Sequence, residues 1–347
     1  MEERLETLRK TVDSILHALP DPVQRGDGFL HLYGVAEFAA VLAAKRGLPT
    51  GLAQAAAMLH DIYAYRTGIR PLHAHNGAED ARVLLRDNGG FSPQEQAAVC
   101  TAIFYHSDKQ AVHAPLDEAI KDADVLQHYF YNPALPIQAN EYDRLAALHA
   151  ELGLPFQAPR PEATVKPQPT VPAERRVRLA QIAEELAAQQ LAGNESKSGP
   201  QVYPIIRYFP GATPDAGFDW CAAFVYHCCM LAGFILPIRY PDPRVPCRFT
   251  GVPAWRAWAE LAGFLHREAD FQPQRGDIVL YDGAVSADPL DHIGMVLGCD
   301  GGSIRTAEGN VDNRSAILNR SRAQCVHGFI RIDEAYQYPA QDIVAPY

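Results

Sequence analysis

Phe218-Asp219-Trp220-Cys221-Ala222-Ala223-Phe224-Val225 passes from a polar turn into an apolar helical run, and its reading decides the second half of the chain. A thiol at a helix start has its pKa lowered from about 8.5 into or below the neutral range when an imidazolium is near. Asp219 stands where a capping residue would, and the backbone amides there are placed to help hold an oxyanion. An imidazole follows at His292, in Asp291-His292-Ile293-Gly294-Met295-Val296-Leu297, which reads as a strand. Alternation turns Ile293, Met295 and Leu297 away from His292, toward a core. Glu308 and Asn310 come one strand later. Two residues apart, they are expected on one face, either able to accept the second imidazole proton of His292. Cys228 lies on the same helical stripe as Cys221 and reads as core. His227 is six residues along, roughly 9 Å of rise, too far for a direct hydrogen bond to Cys221.

Working outward, the residues after Tyr203 are mixed. The pattern predicts helices over Cys221–Ala232 and Val252–Leu261. It predicts strands at Asp277–Tyr281, His292–Leu297, Ser303–Ala307 and Gly328–Ile332. Before them, Glu174–Leu191 reads as an amphipathic helix. Pro155, Pro159, Pro161, Pro167, Pro169 and Pro172 crowd a stretch that cannot continue a helix and reads as an extended linker. Upstream of the prolines everything reads as helical. Leu5, Leu8, Val12, Leu16 and Leu19 recur at helical spacing. An Ala-rich helix runs from His31 to Arg46 and stops at Gly47. Further helices are expected over Leu52–His60, Asn76–Asp87 and Leu116–Tyr129. Ser92-Pro93-Gln94-Glu95 is a helix start with a capping box, opening a helix to about His106.

Histidine is concentrated in that first half: His17, His31, His60, His73, His75, His106, His113, His128 and His149 all lie within it. His31, the adjacent pair His60-Asp61 and Asp124 bring two imidazoles and two carboxylates from separate helices, a donor set suited to a divalent cation of mixed N/O preference. Neighbouring helical residues point about 100° apart, so His60 and Asp61 reach one metal only beside a helix end. If His73 and His106 also turn inward, two metals fit, with Asp61 between them, and such a pair clamps both oxygens of a phosphoryl transfer. The choice between His73 and His75 is close on the residues alone.

In this order, His31, His60-Asp61, His73, His106 and Asp124, the chain resembles HD-domain metal-dependent phosphohydrolases over about residues 28–130. The resemblance implies an all-helical fold, one or two divalent ions (Mn, Fe, Mg, Co, Ni or Zn) and hydrolysis of a phosphate ester, often in a nucleotide. It makes His31, His60, Asp61 and Asp124 the core ligands. His73 and His106 become second-metal ligands or phosphate contacts, with His73 preferred over His75. Arg66 and Lys109 are candidate phosphate clamps by proximity. The downstream segments Trp220-Cys221-Ala222-Ala223-Phe224-Val225, Arg275-Gly276-Asp277-Ile278-Val279, Asp291-His292-Ile293-Gly294 and Ala307-Glu308-Gly309-Asn310 resemble CHAP domains, within the papain-like NlpC/P60 cysteine hydrolases, over about residues 200–333. That resemblance implies Cys221 as nucleophile, His292 as base, Glu308 as orienting acid and Asn310 as a supporting polar residue. The implied reaction is cleavage of an amide, most often in peptidoglycan peptides.

The expected fold class is multidomain: an all-α HD domain over residues 1–154, a Pro-rich linker over 155–173, and an α+β CHAP domain over 174–347. Two domains suit 347 residues, and 48% hydrophobic with 21% charged content suits globular cores. A net charge of -10 argues against a duplex nucleic-acid or anionic-membrane partner. No secretory signal or membrane span is read in the sequence, and the seven cysteines lack a disulfide framework, so a cytoplasmic location with reduced thiols is expected. The expected partners are a small phosphorylated molecule or nucleotide and a peptide or peptidoglycan amide. Oligomeric state is left open. Two other classes are kept beside this reading: an HD half that senses a nucleotide or metal without turnover, and a non-catalytic scaffold.

Overall fold

The computed structural model describes residues 2–161, 174–323 and 326–347. Residues 162–173 of the expected linker, and Cys325, lie outside them. The chain divides into two compact units, Met1–Gln168 with Ile343–Tyr347, and Pro169–Asp342.

The first unit is helical: α1 Glu2–His17, α2 Pro22–Lys45, α3 Thr50–Leu59, α4 Ile62–Thr67, α5 His73–Asn88, α6 Pro93–Tyr105, α7 Pro115–Tyr131 and α8 Tyr142–Leu152. Leu5, Leu8, Val12 and Leu16 bury the inner stripe of α1. The capping box at Ser92 forms in both directions, Ser92 Oγ accepting from the Glu95 amide and the Glu95 carboxylate from the Ser92 amide. Helix α2 begins nine residues before the expected start at His31. Asp21 caps it by accepting the Val23 amide at 2.9 Å, Pro22 opens the first turn, and the three internal glycines, Gly26, Gly28 and Gly34, are tolerated. A Cβ at Gly28 would stand 2.7 Å from Leu16 Cδ2 and 3.3 Å from the Tyr65 ring, so the missing side chain lets α2 close on its neighbours. Helix α2 has the length and mean hydropathy, 1.2, of a membrane-crossing helix. In this fold it packs against α3 and α7 and buries Leu32, Val35, Ala39 and Leu42 in the bundle core. Ile343, Ala345 and Tyr347 also pack on that core. Phe156, within the proline stretch, does the same, and the Ala158 carbonyl accepts from Tyr142 Oη.

The second unit has helices α9 Arg175–Ala188, α10 Tyr203–Ile206, α11 Cys221–Ala232 and α12 Val252–Ala262. Its strands are β1 Leu265–His266, β2 Ile278–Tyr281, β3 His292–Asp300, β4 Ser303–Val311, β5 Arg314–Ser321 and β6 Val326–Ile330. They form one sheet in the order β1-β6-β2-β3-β4-β5, every neighbouring pair antiparallel. Helices α9 and α11 pack against β3 and β4. The first six residues of β3 are all buried, because both faces of the sheet are covered there. This helical bundle followed by an α+β unit is the expected fold class.

Candidate active sites

In the helical unit, His60 and Asp61 sit between two helices and not on one. His60 ends α3, and Asp61, with φ -113° and ψ 4°, precedes α4. The break lets both side chains meet His31 from α2 and Asp124 from α7. His31 Nε2 lies 3.0 Å from His60 Nε2, 3.6 Å from Asp61 Oδ2 and 3.7 Å from Asp124 Oδ1. The other Asp61 oxygen, Oδ1, lies 3.4 Å from His73 Nε2 and 3.3 Å from His106 Nε2. One carboxylate thus joins two groups of nitrogens. His75 instead stacks on Phe104.

The imidazoles are held with Nε2 inward. Nδ1 of His60, His106 and His73 contacts the carbonyls of Ala57 (2.7 Å), Ile103 (2.7 Å) and Arg70 (3.0 Å), and Nδ1 of His31 contacts Gln127 Oε1 (2.9 Å). An oxygen of this kind only accepts, so Nδ1 carries a proton, and wherever the ring is neutral Nε2 holds the lone pair. Two such lone pairs 3.0 Å apart, as in His31 and His60, require a cation between them or a shared proton. Burial holds His60 down to about 3, so its ring is neutral at ordinary pH. Burial alone would raise the carboxyl pKa of Asp61 and Asp124. Their histidine neighbours, and for Asp124 first the Lys109 ammonium, hold both well below the usual range. Asp61 Oδ1 and Asp124 Oδ1 are buried without a hydrogen-bond partner. A neutral His60, ionised acids and orphaned oxygens are states in which such groups ligate a cation, and the residues present fit a divalent metal.

His128 is a member that sequence reasoning sets aside. Its Nε2 lies 3.5 Å from Asp124 Oδ1 and its ring stacks on His31. Together with His31 and Asp124 it forms a third group with metal-ligating spacing. Its signal is the four-residue step from Asp124 along α7. The expected phosphate clamps are engaged elsewhere. Arg66 makes a bidentate pair with Asp80, both bonds 3.0 Å, and Lys109 Nζ contacts Asp124 Oδ2 at 2.5 Å.

In the second unit, Cys221 is the first residue of α11 and His292 the first of β3. Glu308 faces across the β3–β4 pair, opposite Gly294. A Cβ on Gly294 would stand 2.7 Å from Glu308 Cγ, so that glycine makes the space the carboxylate occupies. Glu308 Oε2 accepts from His292 Nε2 at 2.8 Å, which leaves Nδ1 for the Cys221 thiol. Burial opposes charge on His292. Hydrogen bonding to Cys221 and Glu308 outweighs it and pushes the ring up to about 9. Burial likewise opposes charge on Glu308, whose carboxyl is nevertheless held down to about 2 by His292 and Arg320. The geometry is that of a thiol beside an imidazolium oriented by a carboxylate.

Two details differ from expectation. Asn310 does not share the face of Glu308, because the β4–β5 register shifts between Glu308 and Val311 and Asn310 takes φ 60°. Its amide instead donates to Asp219 Oδ1 at 2.8 Å. Asp219 does not cap α11. It pairs with Lys197 as well as Asn310, and the N-cap residue Trp220 makes no side-chain capping bond. Arg320, on the unforeseen strand β5, grips both Glu308 oxygens at 2.7 and 2.6 Å, and Thr306 Oγ1 donates to Oε1 at 2.6 Å. Thr306 had a readable signal, standing two residues before Glu308. Arg320 had none. Cys228 and Cys229 are buried thiols with raised pKa, and His227 is held by Tyr208 Oη, so neither set competes with Cys221 and His292.

Residues 28–129 match the family model of the HD domain, and residues 213–310 match that of the CHAP domain. The chain carries an HD domain followed by a CHAP domain. A solved structure described as a predicted HD superfamily hydrolase, from an uncultured Thermotogales bacterium, is similar at 24% identity with a TM-score of 0.29. The similarity covers 44% of this chain and 89% of that one. No curated protein matches the chain. Both domain families are of hydrolase type. Within the HD domain lie the clustered histidines and aspartates with metal-ligating spacing. Arg320 lies beyond the matched CHAP residues.

Proposed function

We propose that the chain is a hydrolase with two separate centres, one for phosphate esters and one for amides. The observation that supports the first is Asp61, shared between the nitrogens of His31 and His60 on one side and those of His73 and His106 on the other. His31, His60, Asp61 and Asp124 hold one divalent ion. Asp61, His73 and His106 hold a second, and His128 is a further ligand at the first. A bound cation supplies Lewis-acid activation of water and of the phosphate. The chain's own part is to fix the ligands, keep the acids ionised and keep the buried His60 ring neutral. In net terms water oxygen bonds to phosphorus, the ester P–O bond breaks, and a proton goes to the departing oxygen. The substrate is a small phosphorylated molecule, nucleotide-like in class.

In the second centre, Cys221 sulfur attacks an amide carbonyl and His292 gives its proton to the departing amine as the C–N bond breaks. Water then cleaves the thioester and returns the proton. Glu308 keeps the imidazole in the right tautomer, and the uncapped first-turn amides of α11 are available to the oxyanion. The substrate is a peptide amide, of which peptidoglycan peptides are the first to test. We retain 1–154, 155–173 and 174–347 as the proposed domain limits, with residues 343–347 of the last span packing on the helical core, and a cytoplasmic location, which cell fractionation tests. The functional test is direct. Metal-stripped protein reloaded with Mn²⁺ is expected to release phosphate from a nucleotide panel, and iodoacetamide to label Cys221 ahead of the other thiols. No phosphate release from any member, or no preference for Cys221, removes the corresponding half of the proposal.

A further inference from the structure

Arg66 and Lys109 are paired with Asp80 and Asp124, which leaves a phosphate contact from the chain itself to another side chain. A polar cleft of about 280 Å³ opens on the bundle, and Asp61 of the ligand cluster lines it. Arg70 lines it too, is exposed, and has no carboxylate partner among the described residues. Gln24 and Asp27, also in its wall, lie seven and four residues before His31 on α2. That spacing puts all three on one face, running from the cleft mouth down to the metal ligands. Asp21 joins them at the rim. Tyr65 lines it as well. Burial, with Asp61 and Asp27 nearby, raises its hydroxyl pKa, so it stays neutral.

We infer that this cleft is the substrate subsite of the HD centre and that it selects phosphate monoesters carrying a single phosphate and a compact hydroxylated group. The inference rests on the phosphohydrolase reading above. Arg70 takes the phosphate beside Asp61, where a guanidinium offers two parallel donors to phosphate oxygens. Gln24 and Asp27 accept from hydroxyl groups at the other end. Further phosphates on the substrate would meet the carboxylates of Asp27 and Asp21 and be repelled. The volume agrees, lying just under the roughly 300–1,000 Å³ of pockets for drug-sized ligands.

The test uses full-length, Mn²⁺-loaded protein and calorimetric titration with 5′-AMP, ribose 5-phosphate and ATP, alongside phosphate release. Wild type is expected to bind one or both monophosphates roughly tenfold or more tighter than ATP. Arg70→Ala is expected to weaken that binding roughly tenfold or more and raise KM more than it lowers kcat, with Arg70→Lys restoring part of the loss. Asp27→Asn is expected to narrow the gap to ATP, and Arg86→Ala, far from the cleft lining, to change nothing. Binding of ATP as tight as that of the monophosphates, an Arg70→Ala protein that binds like wild type, or no binding of any probe overturns the inference. If the binding pattern holds while no phosphate is released, the subsite stands and the hydrolytic reading falls.

Discussion

His292 spends Nε2 on Glu308, and on the proposed mechanism the nitrogen left over, Nδ1, serves Cys221. With Nε2 bound to Glu308, a protonated ring keeps Nδ1–H for sulfur and then for the leaving amine. On the proposed mechanism amide cleavage needs the imidazolium and is expected to fall as pH rises through about 9, measured as the alkaline limb of kcat/KM. Activity that continues to climb well above that pH contradicts the assignment. The same shift has a stability consequence. A ring whose pKa is raised from 6.5 to about 9 stabilises the fold fully below 6.5 and loses that contribution as pH rises through about 9. Glu308, lowered from 4.5 to about 2, contributes above 4.5 and loses its contribution as pH falls through about 2. Glu308→Gln removes the orienting acceptor and is expected to cost on the order of 10³–10⁴ in kcat, as loss of a triad's third member does. Arg320→Met, which frees the carboxylate without removing it, is expected to cost roughly tenfold, about 1.4 kcal/mol of transition-state stabilisation. It should also move the alkaline limb, which a merely structural arginine would not. Cys221, His292 and Glu308 were readable because each stands at or near the start or core of an element with a strong pattern. Arg320 was hidden because its contact depends on a strand whose sequence is half polar.

At the scale of elements, the readable features are those fixed by local chemistry. The Leu5 stripe, the Ser92 capping box and the start of α11 at Cys221 all form where their residues demand. The misses have local causes too. The His31 start overlooks Asp21-Pro22, a good cap and first-turn pair made ambiguous by the glycines that follow. The shared face of Glu308 and Asn310 assumes unbroken alternation, which the register shift at the end of β4 interrupts. Strand β5, Arg314–Ser321, is mostly intermediate or exposed and lacks the apolar run that marks a strand in sequence. Gly294 shows how closely β3 and β4 must approach. Gly294→Ala forces a methyl to within 2.7 Å of Glu308 Cγ. We expect a loss of roughly 1–3 kcal/mol in denaturant unfolding of that unit, together with reduced amide cleavage. A substitution without cost in either measurement would mean that β4 yields easily and that the carboxylate is not held by this packing.

For the whole molecule, the two proposed centres fall in two compact units, and the side chains of each come from one unit alone. On the proposed reading, metal ligation belongs to the helical bundle and thiol chemistry to the α+β unit. The most direct test is a crossed assay of wild type, Asp61→Asn and Cys221→Ala, each measured for Mn²⁺-dependent phosphate release and for amide cleavage of purified peptidoglycan. Asp61→Asn is expected to lose phosphate release and bound metal while keeping amide cleavage, and Cys221→Ala to show the reverse. A single substitution that abolishes both activities, or either activity surviving the loss of its own residue, would contradict two independent centres.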